Sequence, residues 1–294
     1  MKTLKNILTS MRPEQWTKNL IVFAGLFFGK GFTDISVLSR SIQAFLIFCL
    51  VSSGSYIIND IIDRRKDRFH PEKAKRPIAR GSVSMPLAFA VAAVLISVGM
   101  LWALLLSDRL LVVVGLFLAL HIAYDLLLKH ISIIDVFTIA FAFILRLVGG
   151  VVMTPVFYSL SSWILLCTFL LALFLALCKR RSEVALLLDD SKHHRKSLAE
   201  YDIVFLNQMI TIVSACVIIC YSLYALSHGT PMKIGIDRFI YTIPFVVYGI
   251  FRYLYLVNMR EGGSNPEKLL LKDIPLLTDI LLYCLTVYVI LYRP

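Results

Sequence analysis

Charged residues are scarce in this 294-residue sequence, where Asp, Glu, Lys and Arg together occupy only 17% of positions. Hydrophobic residues occupy 59%, and the mean hydropathy is +0.79. This composition excludes an ordinary soluble domain and is typical of a polytopic membrane protein. The net charge of +11 does not indicate nucleic-acid binding, because the bases lie in short segments between apolar runs. There they face anionic lipid headgroups and any phosphorylated substrate.

Paired cysteines are also lacking. The six cysteines are scattered singly, and Cys216 and Cys220 are one helical turn apart in an apolar run, which favours packing over a disulfide or metal site. The sequence shows no low-complexity tract, no evident repeat and no long linker, so we expect one domain over residues 1–294. The first apolar run has no clear small-residue cleavage site, so we expect it to be retained rather than removed as a secretory signal.

Nine apolar runs divide the chain, and each is close to the ~20 residues that a helix needs to cross a bilayer. The first run is the shortest. We therefore expect an all-α polytopic membrane protein with nine transmembrane helices. The runs cover residues 20–32, 37–58, 85–106, 110–127, 133–154, 160–177, 203–226, 239–257 and 274–292.

The distribution of basic residues predicts the orientation of these spans. With nine spans, 23 of the 30 Lys and Arg fall on the side of the N-terminus, 6 fall on the other side, and Arg146 lies inside a span. Because cytoplasmic segments are enriched in Lys and Arg, we expect the N-terminus and the charged loops to be cytoplasmic. The predicted location is the plasma (inner) membrane. The sequence leaves open whether the protein forms a homo-oligomer.

The polar stretch at 59–81, between the second and third runs, reads NDIIDRRKDRFHPEKAKRPIARG. If the preceding helix continues, Asn59, Asp60, Asp63 and Asp67 share one face, because they are spaced three or four residues apart. Three carboxylates on one face repel one another unless a cation lies between them. Hard oxygen ligands favour Mg²⁺, which commonly bridges a protein carboxylate to a phosphate.

Basic residues interleave with these carboxylates or follow them. The carboxylates can bind a metal, and the neighbouring bases can bind the anion that accompanies the metal. Together they predict a magnesium–diphosphate site. The alternative is a charged cytoplasmic loop, which explains the bases but not the regular spacing of carboxylates at a membrane boundary. The bases are Arg64, Arg65, Lys66, Arg68, Lys73, Lys75, Arg76 and Arg80.

A second polar cluster lies at the junction of the fourth and fifth runs, on the same predicted side of the membrane. We expect it to face residues 59–81 across a cavity, with Lys129 and Tyr124 as donors to phosphate and Asp135 as a metal or substrate ligand. The alternative is an ordinary turn between spans, in which a Lys-His pair is commonplace. The cluster comprises Tyr124, Asp125, Lys129, His130 and Asp135.

Arg146 lies within the fifth run, where an unpaired guanidinium is costly, so we expect it to face the bundle interior. Its planar fork suits a phosphate, and the alternative is a structural ion pair with an interior carboxylate. Gly149 and Gly150, just beyond it, are expected to mark close helix packing.

Two further groups lie at the predicted cytoplasmic ends of spans, and residue type alone favours interfacial anchoring for both. We expect His193 and His194 to belong to a solvated loop rather than to a ligand set. The two groups are Gln15, Trp16, Lys18 and Asn19 before the first span, and Lys179, Arg180, Arg181 and Glu183 after the sixth.

The motif N-D-x-x-D-x-x-x-D at 59–67, followed by R-P-I-A-R-G at 76–81, resembles the first aspartate motif of the UbiA-type membrane prenyltransferases. The resemblance covers essentially the whole chain. It implies a helical bundle with a Mg²⁺-bound diphosphate in a central cavity that opens to the cytoplasm and to lipid.

Further motifs are similar to one branch of that family, the decaprenyl-phosphate phosphoribosyltransferases. A second D-x-x-x-D motif is absent, since Asp125 and Asp135 are ten residues apart, which argues against ordinary aromatic prenylation. The motifs are M-R-P-E-Q-W-T-K-N at 11–19, H-P-E-K at 70–73, Y-D-L-L-L-K-H at 124–130, F-I-L-R-L-V-G-G at 143–150 and K-R-R-S-E at 179–183.

This resemblance implies Mg²⁺-dependent transfer of 5-phosphoribose from phosphoribosyl diphosphate to a polyprenyl phosphate, with release of pyrophosphate. Asp60, Asp63 and Lys129 are then the expected catalytic residues, and the metal ligands are those on the shared helix face. The expected substrate-binding residues are Lys18, Asn19, Lys73, Arg76, Arg80, Tyr124, Asp135, Arg146, Lys179 and Glu183.

Two other functions remain open at this point. One is an ordinary UbiA-type transferase, which moves a prenyl group from a prenyl diphosphate to an aromatic or other lipid-soluble acceptor. The other is a transporter of lipid-linked phosphates, although no inverted repeat or pair of broken helices is visible in the sequence.

Overall fold

The computed structural model of the protein consists of helices and their connections. It describes residues 2–28, 31–69, 73–155, 162–187, 200–227, 236–259 and 272–292. Ten α-helices fall in these ranges: α1 (Lys2–Met11), α2 (Ala24–Phe28), α3 (Ile35–Asp67), α4 (Met85–Leu106), α5 (Asp108–Leu126), α6 (Ile134–Val151), α7 (Ser162–Leu187), α8 (Ile203–Leu226), α9 (Ile243–Met259) and α10 (Ile274–Tyr292). Five 3₁₀ helices lie between them, at Pro13–Phe23, Gly31–Thr33, Lys73–Lys75, Leu128–His130 and Ile236–Thr242.

Eight of the described helices, α3 to α10, are long and apolar enough to cross a membrane. Their outward faces carry large exposed apolar side chains, such as Leu105, which is 78% exposed, Val112 and Ile212. Apolar residues at such positions are stable in lipid rather than in water. The predicted all-α membrane class is therefore confirmed.

The first apolar run differs from the regular helix that its composition predicts. Its first four residues, 20–23, end the eleven-residue 3₁₀ helix Pro13–Phe23, and the next five form the short α2. Within the described residues there are thus eight helical segments of transmembrane length, one fewer than the nine predicted, and the segment of α9 includes 3₁₀ residues from Arg238 onward. Composition identified the apolar run, but it does not distinguish a 3₁₀ helix from an α-helix.

The long 3₁₀ helix lies antiparallel to α3. At one end Arg12 donates to Asp60, and at the other the rings of Phe23 and Phe45 lie 5.3 Å apart. Eleven residues at the 3₁₀ rise of ~2.0 Å extend about 22 Å, as do fifteen residues of α3 at ~1.5 Å. The 3₁₀ helix therefore follows α3 over about four of its turns with fewer residues.

Close packing on α6 holds this 3₁₀ helix in place. A Cβ atom at Gly150 would overlap the backbone carbonyl of Val22, and one at Gly149 would meet the ring of Phe48. The prediction that these two glycines mark close helix packing is confirmed.

Consecutive helices from α3 to α10 run antiparallel, so α3, α5, α7 and α9 end where α4, α6, α8 and α10 begin. We call this end, which contains Asp67, Lys129 and Arg180, the polar end. The opposite end closes through an aromatic contact between Phe32 and Tyr292, whose centroids are 6.3 Å apart. With 33 residues, α3 is about 50 Å long and outreaches a hydrocarbon core of ~30 Å. Its last turns therefore emerge from the apolar layer at the polar end.

The packing at Gly150 generates the first prediction. Gly150→Ala must displace the 3₁₀ backbone, and overpacking of this kind lowers the free energy of unfolding by about 1–3 kcal/mol. We therefore expect a lower midpoint of thermal unfolding in detergent. Gly115→Ala in α5 is the matched control, because the nearest atom to its added Cβ is Met100 Cε at 3.8 Å. An equal midpoint for both variants would contradict this account of the contact.

Candidate active site

The acidic face of α3 is the centre of the polar end. The helix continues unbroken to Asp67, so Asp60, Asp63 and Asp67 lie on one face as predicted. All three are buried, with exposed fractions of 1%, 6% and 4%. Asn59 is half-buried beside them. A buried carboxylate is stable only when a hydrogen-bond donor or a counter-charge meets it.

Bases from three different segments meet these carboxylates. Asp60 accepts from Arg12, at the start of the long 3₁₀ helix, and from Arg76 Nη1 at 3.0 Å. The same Arg76 nitrogen lies 2.7 Å from Asp67 Oδ2. Both oxygens of Asp63 lie 2.8 Å from Lys129 Nζ, in the connection between α5 and α6.

The second polar cluster meets the acidic face as predicted for two of its residues, but through direct contacts rather than across a cavity. Lys129, only 1% exposed, pairs with Asp63 across 66 positions of sequence. Asn59 Nδ2 donates to Asp125 at the end of α5, and it lies 3.4 Å from Asp63 Oδ2. Asp125 thus adds a fourth buried carboxylate to the site.

The donor chemistry of this site fits a hard divalent ion. Asn59, Asp60, Asp63, Asp67 and Asp125 offer carboxylate and amide oxygens, the ligands that Mg²⁺ takes. Within the described ranges, no three His, Cys, Asp or Glu side chains converge on one point. The oxygens are instead shared among Arg12, Arg76 and Lys129. Acidic and basic groups therefore meet here as a set that suits both a metal and an anion.

Asp135 pairs with protein donors other than the bases that meet the acidic face of α3. It is fully buried, its Oδ2 accepts from Arg180 Nε at 2.6 Å, and its Oδ1 accepts from Tyr201 Oη at 2.8 Å. Arg180 also donates to Tyr124 Oη at 2.9 Å and to Glu183. Three predicted substrate ligands, Tyr124, Asp135 and Glu183, thus contact Arg180.

Tyr201 lies just before α8 and is buried with this arginine. Burial raises the pKa of Tyr201 above its usual value, and its hydroxyl donates a hydrogen bond to Asp135. Lys179, the neighbour of Arg180 on α7, is half-buried.

Arg146 lies inside the bundle, as predicted, with an exposed fraction of 2%. Its Nε donates to Asn19 Oδ1 at 2.7 Å and its Nη1 donates to the carbonyl of Ala142 at 3.0 Å. The guanidinium carbon lies 4.5 Å from the ring centroid of Phe117 and 5.3 Å from that of Phe143. Within the described residues no carboxylate pairs with Arg146, so the predicted alternative of an interior ion pair is wrong there.

Asn19 is the partner that orients this arginine. Its amide nitrogen lies 3.3 Å from both Cys49 Sγ and Ser52 Oγ of α3, while its oxygen accepts from Arg146. Lys18, the preceding residue, is half-buried on the same 3₁₀ helix. The predicted phosphate ligand Asn19 is therefore engaged with the side chain of another predicted ligand.

The remaining predicted bases lie after α3. Lys73 is half-buried at the start of a 3₁₀ turn, and its carbonyl accepts from the N–H of Arg76 at 3.0 Å. Arg80 is exposed and donates to Asn6 of α1 at 2.8 Å. The structure therefore places Arg76 in the acidic cluster and Arg80 against α1. Part of the motif at 70–73, namely His70, Pro71 and Glu72, lies outside the described residues, as do His193 and His194.

Sequence reasoning missed three residues of the polar end as site residues. Arg12 lies in the motif at 11–19, but its local sequence does not reveal that it meets Asp60. Arg180 was read as an interfacial anchor in a basic run. A single Tyr201 after a charged segment carries no distinguishing pattern.

Comparisons with known proteins find one family and relatives that cover most of the chain. Residues 19–272 match the family model described as "UbiA prenyltransferase family". The decaprenyl-phosphate phosphoribosyltransferase of Mycobacterium tuberculosis strain H37Rv is 32% identical, over 91% of this chain and 88% of that protein. The protein of the same name in Mycolicibacterium smegmatis is 30% identical, over 92% and 87%.

A solved structure shares the fold. The UbiA homologue from Archaeoglobus fulgidus, bound to GPP and Mg²⁺, superposes with a TM-score of 0.75, covering 97% of this chain and 99% of that one. Their sequences are 18% identical, so this likeness establishes the arrangement of helices.

The buried pair of Asp63 and Lys129 generates the second prediction. Asp63→Asn leaves a buried ammonium short of counter-charge, which costs about 3–5 kcal/mol. We expect a lowered unfolding midpoint in detergent, and we expect Lys129→Met in the Asp63→Asn background to recover part of the loss.

The matched control is the pair of Asp273 and Arg252 at the same end, where Arg252 is 22% exposed. Asp273→Asn should lower the midpoint less than Asp63→Asn does. Strictly additive effects of the Asp63 and Lys129 changes would rule out the coupling.

Proposed function

The chain belongs to the UbiA prenyltransferase family, and on that premise we propose that it transfers 5-phosphoribose from phosphoribosyl diphosphate to a polyprenyl phosphate, releasing pyrophosphate. It is an enzyme of that superfamily. The names of its relatives in mycobacteria support the choice of reaction. The observation that carries the proposal is the buried acidic face of α3, with Arg12, Arg76 and Lys129 bound to it.

The charges of the substrates explain the number of bases in the site. Phosphoribosyl diphosphate carries a 5-phosphate as well as its diphosphate, and the acceptor adds a third anionic group. An ordinary prenyl diphosphate carries one such group. The bases lie at two depths in the bundle: Arg12, Arg76 and Lys129 pair with the acidic face of α3, and Arg146 lies deeper. This arrangement suits the more highly charged pair of substrates.

Asn59, Asp60, Asp63 and Asp67 are the proposed ligands of Mg²⁺, and Asp125 lies within reach of the same set through Asn59. When bound, the metal offsets the charge of the donor diphosphate and anchors it at this face. The A. fulgidus homologue was solved with Mg²⁺, which supports a divalent ion here.

Lys129, Arg76 and Lys73 are the proposed ligands of the leaving pyrophosphate. They neutralise the charge that develops as the bond from the ribose anomeric carbon to the diphosphate breaks. A phosphate oxygen of the lipid then forms the new bond from the opposite face. Because a phosphate monoester is already anionic near pH 7, no general base is required, and catalysis rests on positioning and electrostatic stabilisation.

Arg146 is the proposed ligand of a further phosphate, with Lys18 beside it. Its charge has no carboxylate partner in the described residues, and its guanidinium plane is fixed by Asn19 and Phe117. A buried cation of this kind attracts an anion, and a planar fork can bind two phosphate oxygens together.

The proposed topology has nine crossings of the plasma membrane. The 3₁₀ helix Pro13–Phe23 with α2 makes the first, antiparallel to α3, and the polar end faces the cytoplasm. The asymmetry of Lys and Arg along the sequence supports this orientation. The polyprenyl tail would lie against the apolar outer faces of the bundle.

Ordinary prenyl transfer is the second candidate, because the solved homologue binds GPP. The engagement of Asp135 by Arg180 and Tyr201 weighs against a second acidic motif of the usual kind. The donor that the purified protein consumes distinguishes the two reactions.

The third prediction concerns the α3 carboxylates. In detergent with Mg²⁺, polyprenyl phosphate and radiolabelled phosphoribosyl diphosphate, we expect the label to enter the organic phase. Asp60→Asn and Asp63→Asn should each lower this rate by ~100-fold or more, since each loses charge at the metal–diphosphate site.

Controls keep this assay specific. Asp34→Asn, at the exposed cap of α3, should retain the activity, because asparagine also caps helices. EDTA, or omission of the lipid, should abolish the transfer. Wild-type rates in either α3 variant would contradict the assignment of metal ligands. Consumption of a prenyl diphosphate with an aromatic acceptor would favour ordinary prenyl transfer.

The fourth prediction concerns Arg146. Arg146→Lys keeps the charge but loses the fork and the aromatic stack, so we expect kcat/KM for one phosphorylated substrate to fall by about 10- to 100-fold. Arg109→Lys is the control, because Arg109 lies in the first turn of α5, at the end of the bundle away from the polar end. Unchanged kinetics for both substrates would remove Arg146 from the binding site.

A further inference from the structure

The connection between α5 and α6, residues 127–133, carries a charged site residue on a short irregular segment. Lys129 lies in its single 3₁₀ turn, Leu128–His130. Because the ammonium must reach both oxygens of Asp63 from this segment, its position depends on how the connection is held.

The connection ends in a strained residue. Ile133 has φ 70° and ψ −46°, and the N–H of Ile134 donates to the carbonyl of Ser132 at 2.8 Å. This is a γ-turn with a positive φ at its centre, a rare conformation. For a β-branched residue such a φ is an outlier that persists only when surrounding contacts enforce it.

Tyr201 supplies the contacts that enforce it. Its hydroxyl accepts from the N–H of Ile133 at 2.6 Å and donates to Asp135 Oδ1 at 2.8 Å, so one atom bridges the strained residue and the first turn of α6. Ser132 also donates to Glu200, the residue before Tyr201. The segment preceding α8 therefore binds the turn through two successive residues, Glu200 and Tyr201.

Arg180 binds both ends of the connection. It donates to Asp135 at the start of α6 and to Tyr124 in the last turn of α5. The two helix ends that flank Lys129 are thereby tied to one guanidinium, and the arginine, Asp135 and Tyr201 are all at most 5% exposed.

We infer that Tyr201, Asp135 and Arg180 form a clamp that holds the α5–α6 connection in the shape that places Lys129 against Asp63, and that they are positioning residues for the transferase reaction. The catalytic consequence rests on the proposed function, whereas the placement of Lys129 does not. The clamp acts through the backbone of Ile133 and touches no substrate.

Tyr201→Phe tests the clamp, because it removes the bridging hydroxyl and keeps the ring. We expect kcat for phosphoribosyl transfer to fall about 10-fold or more, with little change in KM for the polyprenyl phosphate. Adding Ile133→Gly should recover part of the loss, since glycine adopts a positive φ without strain. Tyr248→Phe, at a half-exposed tyrosine of α9, is the matched control.

A second measurement is independent of activity. Lys129 is 1% exposed, so an amine-reactive ester should label it slowly in the full-length protein in detergent, as followed by peptide mass spectrometry. We expect Tyr201→Phe to accelerate labelling of Lys129 several-fold while exposed Lys5 is labelled at an unchanged rate. Ser132→Ala, which removes only the outer contact, should act in the same direction more weakly and serves if Tyr201→Phe does not fold.

The two measurements separate the two proposals. Faster labelling of Lys129, in a protein whose wild type shows no phosphoribosyl transfer, would support the clamp and overturn the proposed function. Lower kcat without faster labelling would overturn the clamp and assign Tyr201 to the substrate instead. Unchanged labelling in both variants would overturn it as well.

Discussion

Burial of carboxylates on one face of α3 is the constraint on which the polar end depends. Each uncompensated charge removed from water costs several kcal/mol, so the fold must bring counter-charges to Asp60, Asp63 and Asp67. They come from three separate places in the chain: Arg12, Arg76 and Lys129. These pairs connect the start of the long 3₁₀ helix, the loop after α3 and the α5–α6 connection to one helix. Charge compensation therefore organises the same segments that the proposed reaction needs.

A second electrostatic environment lies deeper in the bundle. Arg146 is solvated there by an amide oxygen, a main-chain carbonyl and the faces of Phe117 and Phe143. Dipoles and aromatic quadrupoles make burial of the cation tolerable without neutralising it. The acidic cluster is nearly balanced, whereas this part of the bundle keeps a positive charge. A molecule with anions at two positions suits the pair of environments better than a molecule with one.

The sequence predicted the local features of the site and failed where contacts between distant segments decide. Spacing along one helix placed Asn59, Asp60, Asp63 and Asp67 on one face, because helical periodicity is a local property. Hydropathy identified the apolar runs, but it did not reveal that the first run begins inside a 3₁₀ helix, Pro13–Phe23, rather than an α-helix. Spacing along the sequence also cannot reveal that Arg180 and Tyr201 reach Asp135 from distant segments. The positive φ of Ile133 had no signal, since no glycine or asparagine marks it.

The balance of charge in the acidic cluster also constrains what can enter it. Asp60, Asp63, Asp67 and Asp125 bring four negative charges when ionised, and Arg12, Arg76 and Lys129 bring three positive ones. A diphosphate alone would add about three negative charges to this buried site, and a divalent ion alone would add two positive ones, each without compensation. A complex of the diphosphate with one divalent ion adds only about one negative charge, the smallest change of the three. The carboxylates can bind the metal of this complex, and the bases can bind its phosphate oxygens. The groups that compensate each other in the free protein therefore suit the complex better than either ion alone.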